Sequence, residues 1–212
     1  MDITWLGHSC FVIKGKQATV VTDPYHKFGG YKMGLVSADI ITISHQHDHH
    51  NNAAGVHGTH KDVTGPGEYE IKGIFVTGIG TYHDNVNGEK LGKNTIYLIE
   101  IDGIRVCHLG DLGHKLTSRQ TEELSEVDVL MVPVGGLTTV NAPAAAEVIN
   151  MLDPEIVIPM HYKTDAVEDE LEPLEKFLKE MGHKEAVAQP KLNITKSTLK
   201  RDTQLVVLDY KA

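Results

Sequence analysis

The chain has 212 residues, 41% of them hydrophobic, which is enough for one large domain, 1–212, with a proper core. A net charge of −9, from 20 basic and 29 acidic side chains, weighs against a broad nucleic-acid-binding face. No apolar run approaches the roughly 18 residues that span a bilayer, the start Met1-Asp2-Ile3-Thr4-Trp5 does not read as a secretory leader, and two cysteines do not make a disulfide framework. The expectation is a cytoplasmic protein with no membrane partner, Cys10 and Cys107 reduced in its core, and a homo-oligomer left open.

Short strands are expected first, at 2–6, 9–14, 17–22 and 38–44. Three more follow at 74–79, 95–101 and 104–109, the last two joined by Asp102-Gly103, a strong two-residue hairpin signal. A short helix fits 117–125, opened by Thr117 or Ser118, and strands fit 127–134, 155–160 and 204–209. Between them, 142–152 reads as a helix capped by Asn141, with Ala145, Val148, Ile149 and Leu152 on one face. A last helix fits 172–181, with Pro173 in its first turn and Gly182 as its stop. Many strands with flanking helices suggest a layered sandwich.

The most informative stretch follows the strand at 38–44. After Ser44 the chain reads His45-Gln46-His47-Asp48-His49-His50, four histidines within six residues. Packing does not explain that crowding, since neutral imidazoles gain nothing from it and charged ones repel. Imidazole is the commonest protein ligand for zinc and similar ions, so the stretch points to a metal site. Four other strand ends carry metal-capable groups: Gly7-His8, Tyr82-His83-Asp84, His108-Leu109-Gly110-Asp111 and His161. Together they suggest one site built from loops on one sheet edge.

These motifs, in this order, resemble the metallo-β-lactamase fold superfamily. The likeness runs through Trp5-Leu6-Gly7-His8-Ser9-Cys10-Phe11, Thr22-Asp23-Pro24, the His cluster, Gly65-Pro66-Gly67-Glu68-Tyr69, His83, and His108 to Gly113. It ends with Pro133-Val134-Gly135-Gly136 and Ile158-Pro159-Met160-His161-Tyr162. Within the superfamily the chain is most similar to small lactonase-like hydrolases, among them ascorbate-6-phosphate lactonase. The resemblance implies an α+β, four-layer αββα sandwich holding two divalent ions, zinc first, with manganese, nickel and iron as alternatives.

It also implies roles for single residues. His45, His47 and His83 would hold one ion, and His50 and His161 the second, with Asp111 bridging. The superfamily pattern is His-x-His-x-Asp-His. Aligned without a gap, His49 takes the place of its Asp and becomes a metal ligand; a one-residue deletion would give that place to Asp48. His8 and His108 are candidates for proton transfer or for holding a ligand, and Asp23 for orienting a ligand histidine or supporting a loop. Asn94, Tyr162 and Lys163 are possible substrate contacts.

The implied activity is hydrolysis of a small ester, lactone or related bond by a metal-bound hydroxide. Two alternatives stand beside it: a phosphodiesterase or nuclease, and a metal-binding protein with weakened catalysis. The expected partner is a small molecule rather than nucleic acid.

Overall fold

The computed structural model describes residues 1–168 and 170–210. The strands, in chain order, are β1 (Asp2–Trp5), β2 (Phe11–Lys14), β3 (Thr19–Thr22), β4 (Ile40–Thr42), β5 (Lys61–Val63), β6 (Gly67–Ile71), β7 (Ile74–Tyr82), β8 (Lys93–Ile101), β9 (Ile104–His108), β10 (Val129–Pro133), β11 (Ile156–Met160), β12 (Leu192–Asn193) and β13 (Gln204–Leu205). The α-helices are α1 (Ser118–Glu123), α2 (Ala142–Leu152) and α3 (Leu174–Glu180).

The strands form two mixed sheets, ordered β12-β1-β2-β3-β4-β5 and β13-β11-β10-β9-β8-β7-β6. In the first, β1, β2 and β3 pair antiparallel and β3, β4 and β5 parallel. In the second, β6 to β9 pair antiparallel and β9, β10, β11 and β13 parallel. The turn joining β8 to β9 has Asp102 and Gly103 both at positive φ, as a tight hairpin of this hand requires.

The core lies between the sheets. Alternation puts Ile3, Trp5, Phe11 and Ile13 of the first sheet inward, where they share one apolar cluster with Val76, Ile96, Val106, Met131 and Ile158. β10 and β11 are buried along their whole length, the mark of strands covered on both faces. Their second face is covered by α2, whose Ala145, Val148, Ile149 and Leu152 are buried, and α3 packs on α2.

The first sheet is covered differently. Its outer face packs Val21, Ile41 and Ile43 against Tyr25, Tyr31, Val36 and Val56, so an irregular segment and one 3-10 turn (Ala53–Gly55) form that layer. No helix among the described residues is long and apolar enough to cross a membrane.

Some elements differ from the sequence expectation. β5 and β6 carry too few inward apolar residues to announce themselves. α3 starts after Pro173, which caps it with extended backbone. The strand expected over 204–209 shortens to β13, which has one neighbour, β11. α1, by contrast, is opened as expected, by Thr117, through a reciprocal cap with Gln120.

Strand direction fixes where the site lies. β1, β3 and β4 run one way in the first sheet, and β7, β9, β10 and β11 run together in the second. The segments that leave β1, β4, β7, β9 and β11 carry His8, the 45–50 run, His83, Asp111 and His161.

Candidate metal centre

Asp111 is the hub. Its Oδ2 lies 3.2 Å from His83 Nε2, 3.3 Å from both His50 Nε2 and His161 Nε2, and 4.0 Å from His45 Nε2. His45, His47 and His83 bring ligand-capable atoms within 4.8 Å of one another, and so do His8, His50 and Asp111. Most of this set is buried; His47 and His49 are exposed.

The rings are oriented from behind. His50 donates from Nδ1 to Asp23 Oδ2 at 2.9 Å. His83 Nδ1 lies 3.0 Å from the Thr138 carbonyl, which only accepts, so Nδ1 carries the proton. Ser44 Oγ donates to Asp23 Oδ2 at 2.6 Å, which leaves it to accept from His45 Nδ1 at 2.9 Å. Each of these imidazoles therefore presents a bare Nε2 to the centre when neutral. His45 Nε2 is buried with no partner among the described residues, as are His8 Nδ1 and His161 Nδ1.

Lone pairs aimed at a carboxylate repel it. Either the rings take up protons or a cation lies among them. The electrostatics express that choice. Burial alone would keep His50 neutral, but Asp111 and Asp23 push it up to about 10. Burial opposes a proton on His83 too, and Asp111 raises it above the ordinary imidazole value. His45, desolvated and beside His50, falls to about 3. Burial favours the protonated form of Asp111, yet His161 and His50 hold it well below the ordinary carboxylate range. The donor set, five or six imidazoles around one anionic carboxylate with supporting acceptors behind the rings, fits a divalent ion.

Backbone shape delivers two of the rings. His8 sits at φ 53, after Gly7 at φ 101, and a Cβ on Gly7 would run into the Tyr31 ring. The His8 carbonyl accepts from Trp5 Nε1 at 3.0 Å and from the His161 amide at 3.3 Å. Gly135 lets its segment lie directly on the His161 carbonyl, where a side chain would clash.

The remaining candidates take other places. His108 does not line the cavity: it is fully buried, and its Nε2 donates to the Ser9 carbonyl at 2.8 Å. That removes it from proton transfer and makes it a support for the His8–Ser9 turn. Ser9 itself donates to Asp111 Oδ1 at 3.3 Å. Asn94 accepts from the Asp111 amide and donates to Thr81 and Leu109, so it sets the backbone of Asp111 rather than meeting substrate. Lys163 donates to the Val167 carbonyl at 2.5 Å, and neither it nor the buried Tyr162 lines the cavity. His49 is exposed, its ring 4.4 Å from that of Phe28 and 6.3 Å from that of His8.

Sequence reading missed the roles of Ser44 and Thr138, and took Asp84 only as a metal-capable group at a strand end. Asp84 accepts four backbone amides, from Val86, Gly88, Lys90 and Leu91, at 2.7–2.9 Å, and so shapes the loop after His83. Its place beside a ligand-like histidine was the available signal.

Above the centre opens a cavity of about 520 Å³. Asp111, His8, His47, His50, His83 and His161 line its metal-facing part, and Phe28, Leu91, Leu137 and Leu171 are its apolar walls. Gln46, Asp48, His49 and Thr138 complete the lining.

Residues 2–161 match the family model described as the beta-lactamase superfamily domain. A protein from Thermotoga maritima, assigned as a Zn-dependent hydrolase of the metallo-beta-lactamase superfamily, has a similar solved structure: TM-score 0.81, 38% identity, 98% of this chain and 99% of that one covered. A UPF0173 protein of Pyrococcus furiosus is 32% identical over 85% of this chain and 90% of its own. A UPF0173 metal-dependent hydrolase of Archaeoglobus fulgidus is 27% identical over 86% of this chain and 92% of its own.

Proposed function

The chain belongs to the metallo-β-lactamase superfamily and is one of its metal-dependent hydrolases; on that premise we propose that it cleaves a small, uncharged ester or lactone with an apolar body. In this reading His45, His47 and His83 hold one divalent ion, His50 and His161 hold a second, and Asp111 is shared. Imidazole-rich donors with a single carboxylate suit zinc and other borderline ions better than magnesium or calcium. Bound there, such ions polarise a carbonyl and lower the pKa of water.

The chain's own residues do the rest. Asp111 keeps the two halves of the centre together, and Asn94 and Ser9 hold its main chain and its second oxygen. Asp23, Ser44 and Thr138 fix the tautomers of His50, His45 and His83, so each ring presents the correct nitrogen. Phe28, Leu91, Leu137 and Leu171 exclude water around a bound acyl group. Among the described residues the lining holds Asp48 and no lysine or arginine, so a phosphate group held away from the ions would find no cationic partner. That favours a neutral ester or lactone over a phosphorylated lactone.

The observation that carries this reading is the convergence of the His83, His50 and His161 Nε2 atoms on one carboxylate oxygen, at 3.2–3.3 Å. A panel of short acyl esters, plain lactones, a phosphorylated lactone and a phosphodiester, each with zinc and with chelator, tests it. Zinc-dependent turnover highest on the neutral esters or lactones is expected. Faster turnover of the phosphodiester, or ester turnover unaffected by complete metal removal, would overturn it.

A further inference from the structure

The superfamily pattern expects a carboxylate at position 49, and this chain has an imidazole there. An imidazole is not simply swapped in at the same place. His49 is exposed and lies against Phe28, whereas a different histidine reaches the second half of the centre. His8 Nε2 is 3.0 Å from His50 Nε2, and the two share a ligand-capable cluster with Asp111. The His8 ring is also 4.3 Å from the His161 ring, centroid to centroid.

We propose that His8, delivered from the end of β1, supplies the third imidazole of the second metal position, and that His49 forms the cavity wall with Phe28. The proposal rests on the metal-centre reading above. Its independent support is geometric. His50 Nδ1 is committed to Asp23, so the His50 nitrogen that faces His8 bears a lone pair when that ring is neutral. Two imidazole nitrogens 3.0 Å apart, both within reach of an anionic carboxylate, form the mouth of a chelate.

The surroundings hold His8 in this pose at a cost in backbone strain. Its φ of 53 lies in the left-handed region, and such strain persists where surrounding structure over-determines it. Here Trp5 Nε1 and the His161 amide both grip its carbonyl, Tyr31 packs against Gly7, and the Phe28 ring lies 4.2 Å from its own. The grip from His161 ties two proposed ligands of one ion to each other through the main chain. An Asp at 49 would have brought a second negative charge. Exchanging it for a neutral ring from another strand leaves Asp111 as the carboxylate of both ions.

The test is metal content and zinc affinity of the full chain, measured by elemental analysis and by competition with a chromogenic chelator. His8→Gly keeps the left-handed backbone and leaves an imidazole-sized hole. It is expected to hold one ion per chain and to lose at least about 100-fold in affinity for the second, more than a supporting hydrogen bond is worth. Millimolar free imidazole is expected to restore the second ion. His49→Ala is expected to hold both. His8→Gly binding two ions with unchanged affinity, or His49→Ala losing one, would overturn the proposal while leaving the metal centre intact. Wild-type protein without stoichiometric metal would instead sink the metal-centre reading and the proposal with it. If His8→Gly does not fold, NMR of cadmium-substituted wild-type protein decides: scalar coupling from cadmium to the His8 ring supports the assignment, and coupling to the His49 ring in its place refutes it.

Discussion

His50 donates from Nδ1 to Asp23 Oδ2 across 2.9 Å, with both side chains buried. This one contact decides which nitrogen of His50 faces Asp111. Among the described residues Asp23 accepts three bonds, the others from the Ser44 amide at 2.7 Å and Ser44 Oγ at 2.6 Å. It therefore aligns His50 directly and His45 through Ser44.

Asp23→Ala should strip three donors of their acceptor at once. A buried donor left unpaired costs about 1–3 kcal/mol, and with relaxation a loss of about 3 kcal/mol is expected in urea unfolding of the metal-free protein. Zinc affinity should fall about 10–100-fold, the usual effect of removing the partner behind a ligand histidine. Unchanged affinity would show that the His50 ring is held by something else.

A second expectation concerns pH. The metal-free chain holds a proton on His50 up to about pH 10, against burial, because of Asp111 and Asp23. A folded-state value raised above the unfolded one contributes stability that is complete below about pH 6.5 and is lost as pH rises toward 10. Metal-free protein should thus weaken across that window. The zinc-loaded protein should not, since the ion displaces that proton and binds more tightly as pH rises. Thermal unfolding of both forms from pH 6.5 to 10 checks the divergence; parallel curves would contradict it.

Asp84 gives the opposite sign. Burial disfavours its charge, but the amides of Leu91, Gly88, Lys90 and Val86 hold its carboxyl well below the ordinary carboxylate range. Its contribution is present above about pH 4 and is lost as pH falls further. Asp84→Ala should speed amide hydrogen exchange at Gly88, Lys90 and Leu91 at neutral pH, and the stability gap to wild type should shrink below pH 4. A gap that is constant with pH would mean that charge plays no part in holding the loop.

Gly7→Ala should be damaging for two reasons that share one cause. At φ 101 an L side chain is strained, and its Cβ would meet the Tyr31 ring. A cost of about 1–3 kcal/mol is expected from the backbone alone, together with a weaker second ion because His8 moves with its neighbour. Stability and metal content equal to wild type would show that the turn adapts.

The histidine-bearing strand ends were legible in the chain because their chemistry is local. His45-Gln46-His47 begins three residues after β4, and His83 and His161 come immediately after β7 and β11. The sheet pairings that bring these ends together are long-range, and the ordered motifs supplied them through resemblance rather than periodicity. His8 was legible as a strand-end member of the site, but its aim was not, since that depends on a left-handed turn and on Tyr31, which lies 23 residues further along the chain. Nor was the direction of Lys163, which turns to the Val167 carbonyl. Side-chain aim is set by packing across elements, and alternating hydrophobicity carries no record of it.

The most direct measurement is anomalous X-ray diffraction from crystals grown with zinc. The expected result is two peaks flanking Asp111, one about 2.0–2.1 Å from nitrogens of His45, His47 and His83, the other at that distance from nitrogens of His50, His161 and His8. Zinc-soaked crystals with no anomalous peak in contact with Asp111 would contradict the account.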